Sequence, residues 1–528
     1  MFAKNKTALI ILCALLLALI TGCKETRVTA EQVRDTIVQA EKDLHWIDYR
    51  LDQEHWRLLD GKTSDSLEFF NNLKQAYLGS PEKLSILRNN RNLIKDDELF
   101  ARKYDILFGL LIKGNVENGS QITSLRDSIL SLHAINPPRI GSERLTENDI
   151  DRILAIGTDR TRREMAYRAR YTAEQTQVEM MGQLIRSRNQ EASRMGYNDY
   201  FAMTFPDEGP SLTEYRKLLD DLETATDAPY QAILDRFNTA QVEPWDLIWE
   251  LGHDLNSLYS RPTLDSQWTV VSASMNDLGF DLAKLPIYEV LSENPSLPAS
   301  VTPLAVNPPS DLRLIGNTGR GCAFSAELLG SLARLIHEHS VTETEPLFVS
   351  YVDGAWTTGV ADLFTDMTRD SVWLANYLGL SPVSIPKQIK QLNELELVKV
   401  RLLLLKLNFE YEAYRSRPAD LNRLYWDLSD RIMRLNRHDD ITPWATDMEL
   451  ANAPVTSQNH LLGKLIAVQT RAYLKQYNGQ VVGNRETRSF LIQNYMRFGS
   501  RYPWSELLKR GAGEALTYEY LVGELVTN

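Results

Sequence analysis

The chain has 528 residues, 43% hydrophobic and 24% charged, an ordinary balance for a globular protein that can bury a sizeable core. Its formal net charge of −12 argues against a nucleic-acid partner, which is usually met by a basic patch, and against broad electrostatic adhesion to anionic lipid. Length alone allows several domains, but no Pro/Gly/Ser linker or charge block divides the chain.

At the N-terminus, Lys4 and Lys6 precede an uninterrupted apolar stretch from Ala8 to Ile20, followed by Thr21-Gly22-Cys23. A charged start, a short apolar stretch and small residues at the end describe an export signal. The stretch is shorter than the roughly 20 residues that a helix needs to cross a hydrocarbon core. Leu19-Ile20-Thr21-Gly22-Cys23 resembles the lipobox of bacterial lipoproteins, in which the cysteine is acylated and becomes the new N-terminus. The expectation is therefore a signal peptide over 1–22, a lipid-anchored tether over 23–30, and a body over 31–528. The membrane is then a partner through lipid on Cys23, and the location is the cell envelope, outside the cytoplasm. Lys24 at the second mature position resembles the sorting pattern for an outer membrane where there are two membranes. The signal takes two lysines and no acids with it, so the charge moves from −12 to about −14. Cys13 leaves with the signal and Cys23 carries lipid, so Cys322 is the remaining free thiol. Cys322 is expected to be a buried structural cysteine, since a reactive thiol needs a cationic partner that the sequence does not identify.

Val33, Ile37, Ala40 and Leu44 recur at steps of three and four, the stripe of a helix hiding one face, and three or so helices fit between Glu31 and the loop Gly114–Gln121. A helix over Ile122–Leu132 ends before Asn136-Pro137-Pro138. One or two long helices follow over Asn148–Arg194, then Leu212–Thr239 and Pro244–Tyr259. Arg261–Gly321 reads as irregular, with Leu312–Ile315 as its best strand candidate. Helical patterns resume over Ser325–His339, around Asp362–Leu378, and over Ile389–Tyr414 once Pro386 is passed. Pro454–Tyr477, Arg485–Phe498 and Trp504–Leu525 complete the chain. The fold class expected is mainly α with a minor β element. Trp46, Trp56, Trp245, Trp249, Trp268 and Trp356 are assigned to core packing or helix interfaces.

Ser325-Ala326-Glu327-Leu328-Leu329-Gly330-Ser331-Leu332-Ala333-Arg334-Leu335-Ile336-His337-Glu338-His339-Ser340 resembles the active-site helix of the angiotensin-converting-enzyme-like peptidyl-dipeptidases, zinc metallopeptidases of the gluzincin type that carry His-Glu-x-x-His. Met195–Ala202, Phe409–Arg415 with Asp420–Trp426, Asn459–Leu465 and Gly499–Leu508 are similar to other segments of that family, in the same order. The resemblance implies a large helical body of two subdomains split by a deep cleft.

A catalytic zinc needs three protein ligands and a fourth position for water. His-Glu-x-x-His supplies two imidazoles because residues four apart lie on one helix face, and its Glu serves as general base. Here His337 and Glu338 match the first His and the Glu, but the position four after His337 is Val341. His339 cannot substitute, because residues two apart point about 200° apart at roughly 100° per residue. The resemblance places the third ligand, a Glu, at Thr358 and keeps a second-shell carboxylate at Asp362. It also places substrate- and oxyanion-binding tyrosines near Ser457 and His460, and no Tyr lies from Leu450 to Gly463. The expectation is a relict His337–Glu338 pair, no zinc, and a non-catalytic cleft that binds a peptide or an envelope protein. A working zinc peptidase with rearranged ligands, drawn from His339, Glu343 and Asp362 with Asp366 and Asp370, is the rival. A purely structural envelope component is the third class. On the bland view, His339 and Glu343 are a surface pair and the aspartates a solvated stripe.

Overall fold

The computed structural model describes residues 28–526 apart from 238, 240, 256, 257, 259 and 294–298. The expected signal peptide over 1–22, Cys13, Cys23 and most of the expected tether lie outside the described residues. Helix accounts for 69% of the structure, so the chain is mainly α. The elements that position the site are α1 (Ala30–Leu59), α2 (Leu67–Leu78), α3 (Glu98–Glu117) and α4 (Gln175–Arg194). They are followed by strands β1 (Ile287–Ser292), β2 (Ser300–Asn307) and β3 (Asp311–Asn317). Then come α5 (Gly321–Ser340), α6 (Gly354–Thr365), α7 (Ile385–Arg415) and α8 (Gln458–Asn478). In the sheet β3 is central, parallel to β1 and antiparallel to β2. It contains the predicted strand Leu312–Ile315.

Helix α1 starts at a capping box: Gln32 N–H donates to Thr29 Oγ1 and Thr29 N–H donates to Gln32 Oε1. Its stripe of Val33, Ile37, Ala40 and Leu44 is fully buried, as the periodicity predicts. Two extended hydrophobic cores run through the molecule. The first gathers α1, α3 and α4 with Leu397–Tyr414 of α7, and the second gathers the sheet, α5 and α6. Helix α8 serves both, with Leu461, Leu465 and Val468 in the first core and Leu462, Ile466 and Leu474 in the second. Buried apolar residues on two faces tie α8 to both cores, which makes it the spine of the fold.

Several boundaries differ from the sequence reading, each for a local reason. Helix α3 runs through Gly114, which stays helical because its missing side chain leaves room for Leu78; an added Cβ would lie 2.6 Å from Leu78 Cβ. Asn148–Arg194 is three helices, because Asp159 and Glu174 start new ones after short breaks. The stretch expected to be irregular contains the helix Gln267–Leu278, ended by Gly279 in the left-handed conformation. Helix α7 begins at Ile385, before Pro386, since a proline in the first turn removes only an N–H that has no helical acceptor. Trp504–Leu525 is two helices, split at Gly513 with φ +82°. Trp245 and Trp356 are core residues, while Trp46, 51% exposed, packs edge-on against Phe70 at 5.6 Å where α1 meets α2. Among the described residues no helix is long and apolar enough to cross a membrane.

Candidate functional site

Helix α5 carries His337 and Glu338 in its last turn and stops at Ser340. Val341 follows in extended backbone (φ −64°, ψ 126°), with Glu343, Glu345 and Pro346 beyond it. Acids beside the negative end of a helix dipole disfavour continuation, and a nearby proline cannot extend the helix. Val341 packs its Cγ1 toward Gly499, where an added Cβ would come within 3.2 Å. The fourth residue after His337 is thus aliphatic and also off the helix.

Helices α5 and α6 run antiparallel. Thr365 Oγ1 donates to Ala326 O at 3.2 Å, and Gly330 faces Thr365 and Ala361. Extending that register puts Gly354 level with His337, Thr358 level with Ala333 and Asp362 level with Leu329. Asp362 is therefore about 12 Å along the axis from His337. Thr358 is buried against α8, with its Cγ2 2.7 Å from where a Cβ on Gly463 would stand. Gly359 N lies 2.9 Å from the same point. The side chain at the third-ligand position is packed into a helix crossing. We expect Gly463→Val to cost about 3 kcal/mol in urea denaturation, because the added branches meet α6 with no room to move.

The remaining expected residues are dispersed. Ser457 is buried at the start of α8 without a capping bond from its side chain. His460 is exposed, with Nε2 3.4 Å from Glu449 Oε1. His339 Nδ1 lies 3.0 Å from the Pro309 carbonyl, and the helix ends before Glu343, so those two do not share a helix face. Asp366 is buried and Asp370 caps the helix Ser371–Asn376, so the aspartates are neither a solvated stripe nor one ligand set. Among the described residues no three His, Cys, Asp or Glu side chains converge as a metal would require.

His337 is 1% exposed, and among the described residues its Nε2 has no hydrogen-bond partner. Burial, helped by the Arg334 charge, pushes its pKa down to about 4, so the imidazole is neutral at pH 7. A neutral imidazole could serve as one zinc ligand. Valine and buried threonine at the other two positions offer no second or third donor, so the residues present do not fit a catalytic zinc.

Around Glu338 the structure assembles groups that the sequence reading missed. Burial, and then the charge of Asp52, pushes the Glu338 carboxyl up to about 7. Asp52 on α1 is likewise pushed up to about 7 by burial and by Asp48, with Lys74 opposing. Asp48 accepts from the Tyr351 hydroxyl at 2.6 Å and pairs with Lys74 of α2 at 2.7 Å. His55 Nδ1 is 4.0 Å from Asp52. Among the described residues Glu338 itself has no hydrogen bond or cation. The group stands where α1 of the first core meets α5 of the second. The four-residue step from Asp48 to Asp52 was legible as a shared helix face; nothing in the sequence tied that face to Glu338.

No protein-family model and no curated protein matches this sequence. The structure is similar to the crystal structure of M32 carboxypeptidase from Deinococcus radiodurans R1, with TM-score 0.63 and 14% sequence identity, over 94% of this chain and 99% of that one. The chain has a metallopeptidase-like fold. At that identity the likeness shows the fold and nothing further, and it does not test the narrower angiotensin-converting-enzyme-like resemblance.

Within the metallopeptidase-like fold, the far end of α5 borders a pocket of about 380 Å³ between the two cores. Its walls are apolar, including Cys322, Ala326 and Leu395. Its floor is a buried charge network. Lys464 pairs with Glu396 at 2.7 Å and Asp366 at 3.5 Å, while Arg471 pairs with Asp366 at 2.9 Å. Burial works against ionisation of Asp366, but Lys464, Arg471 and Arg369 outweigh it and hold the carboxyl well below the usual range. Asp362 belongs to this neighbourhood and not to His337: burial pushes it up to about 6, against the pull of Lys464. Cys322 is half-buried at the pocket wall, and burial pushes its thiol up to about 12. At pH 8 its alkylation by iodoacetamide is expected to be about a hundred-fold or more slower than that of an unhindered cysteine, read by mass spectrometry.

Proposed function

We propose that this protein is a cell-envelope lipoprotein, tethered through lipid on Cys23, that uses a metallopeptidase-like body to bind a peptide or an envelope protein without cleaving it. The observation that carries this reading is the fate of the three ligand positions. His337 is buried with an unpartnered nitrogen, Val341 is off the helix, and Thr358 is packed under Gly463. Glu338, the relict general base, has neither a metal-bound water to deprotonate nor a cation to keep it ionised. Ser457 is buried, while His460 is exposed with its Nε2 near Glu449, so they present no paired donors for an oxyanion. The cleft reading places a ligand along the Glu338–Asp52–Asp48 group, where Lys74 has ammonium N–H donors beyond the one on Asp48 to offer a backbone carbonyl or a carboxylate. A rearranged zinc site is less well supported, because His339 is turned to Pro309 and Glu343 lies beyond the end of α5.

The test is a peptide array probed with the purified protein, alongside mass spectrometry of the same peptides after incubation. Bound and intact peptides are expected, with binding weakened by Lys74→Ala. Chelator-sensitive cleavage would defeat the proposal, and absence of any peptide binding would favour the purely structural role. Lipid attachment is tested separately: Cys23→Ser should release the body from membranes.

A further inference from the structure

We propose that the pocket between α4 and the end of α7 is a binding site for a small organic oxyanion, a carboxylate or a phosphate monoester with an apolar substituent. Its volume is about 410 Å³, within the range of small-molecule sites. Arg186 and Arg417 face it, and no Asp or Glu lines it. That lining is selective in a chain with 70 acidic against 58 basic residues.

The two guanidinium groups are held but not neutralised. Arg186 lies one turn after Gly182, and an added Cβ there would come 3.3 Å from its Nη1, so the side chain lies over the glycine. Among the described residues Arg186 has no hydrogen bond or ion pair. Arg417 sits in the left-handed region at φ +48°, where a residue with a side chain is uncommon. Its Nη2 donates to Asn198 O at 2.7 Å and Ser193 Oγ at 3.3 Å, and its Nε and Nη1 have no acceptor among the described residues. Asn189 stiffens the wall, since its Nδ2 donates to Tyr414 O at 2.8 Å and its Oδ1 accepts from Tyr200 N at 2.8 Å. Ile185, Ala413, Pro418 and Leu421 supply an apolar side for the rest of the ligand. The free planar fork of Arg186 matches carboxylate or phosphate oxygens in a pair, and Arg417 adds single N–H donors from Nε and Nη1, which a neutral or cationic ligand could not use. The site is separate from the His337 motif and does not rest on the peptide-binding reading.

The purified full-length chain would be titrated calorimetrically with benzoate, phenyl phosphate and inorganic phosphate. One equivalent of benzoate or phenyl phosphate is expected to bind, and whichever binds more tightly identifies the oxyanion. Arg186→Gln should weaken that binding about tenfold or more while melting like the parent without ligand, because the side chain is exposed and unpaired. Arg186→Lys should also weaken it, since it keeps the charge and loses the fork. The proposal is overturned if no probe binds at millimolar concentration, if Arg186→Gln binds as the parent does, or if inorganic phosphate binds as tightly as phenyl phosphate.

Discussion

Glu338→Gln is expected to stabilise this protein at pH 8 by at most about 3 kcal/mol and to leave it nearly unchanged at pH 5. The Glu338 carboxyl rises from an ordinary value near 4.5 to about 7 in the folded state, chiefly through burial and then through Asp52. A carboxyl raised on folding favours the native state below its unfolded pKa, and that contribution is lost as pH rises through the folded value. Above pH 7 the parent therefore carries a buried anion without a cation, and the glutamine variant does not. Residual solvent contact at Glu338 screens part of the effect, so 3 kcal/mol is the upper bound. Urea denaturation of both proteins at the two pH values isolates this one group. A loss of stability at pH 8 would mean that the carboxylate has a cationic partner in solution, and would point back to a metal.

The charge network under α8 has the opposite sign. Lys464→Met is expected to cost about 3 kcal/mol at pH 7, because it leaves buried Asp366 and Glu396 short of a cation. Arg471 and Arg369 remain, at 2.9 Å from Asp366 and 3.2 Å from Glu396, which limits the loss. Both carboxyls are held below their ordinary values by these cations against burial. Their contribution is present above the ordinary carboxylate pKa and is lost as pH falls through the lower folded values. The Lys464→Met penalty should therefore be full at pH 7 and shrink below about pH 4. Denaturation midpoints across that range check it, and a penalty independent of pH would show that Lys464 acts through packing alone.

The sequence carried much of the fold because most helices announce themselves by period. The α1 stripe and the α5 run were legible from spacing, as was the β3 strand from its apolar cluster. Boundaries were less legible where a local exception governs: Gly114 stays helical because Leu78 needs the space, and Pro386 sits inside a first turn that tolerates it. That Val341 and Thr358 are poor zinc ligands could be read from residue type alone. Their packing could not, since it depends on Gly499 and Gly463, far away in the chain. The aspartate series misled for the same reason. A four-residue spacing says that side chains share a face, but not that Lys464 and Arg471 will cover it. The Asp48–Asp52–Lys74–Tyr351 group joins three separate segments to Glu338, and no pattern within any one of them reports the others.

The most direct test of the central claim is the zinc content of the purified protein after equilibration with zinc and removal of excess, measured with and without His337→Ala. Far less than one equivalent per chain, unchanged by the substitution, is the expected result. One tightly held zinc per chain that His337→Ala abolishes, accompanied by peptide cleavage that a chelator stops, would contradict it.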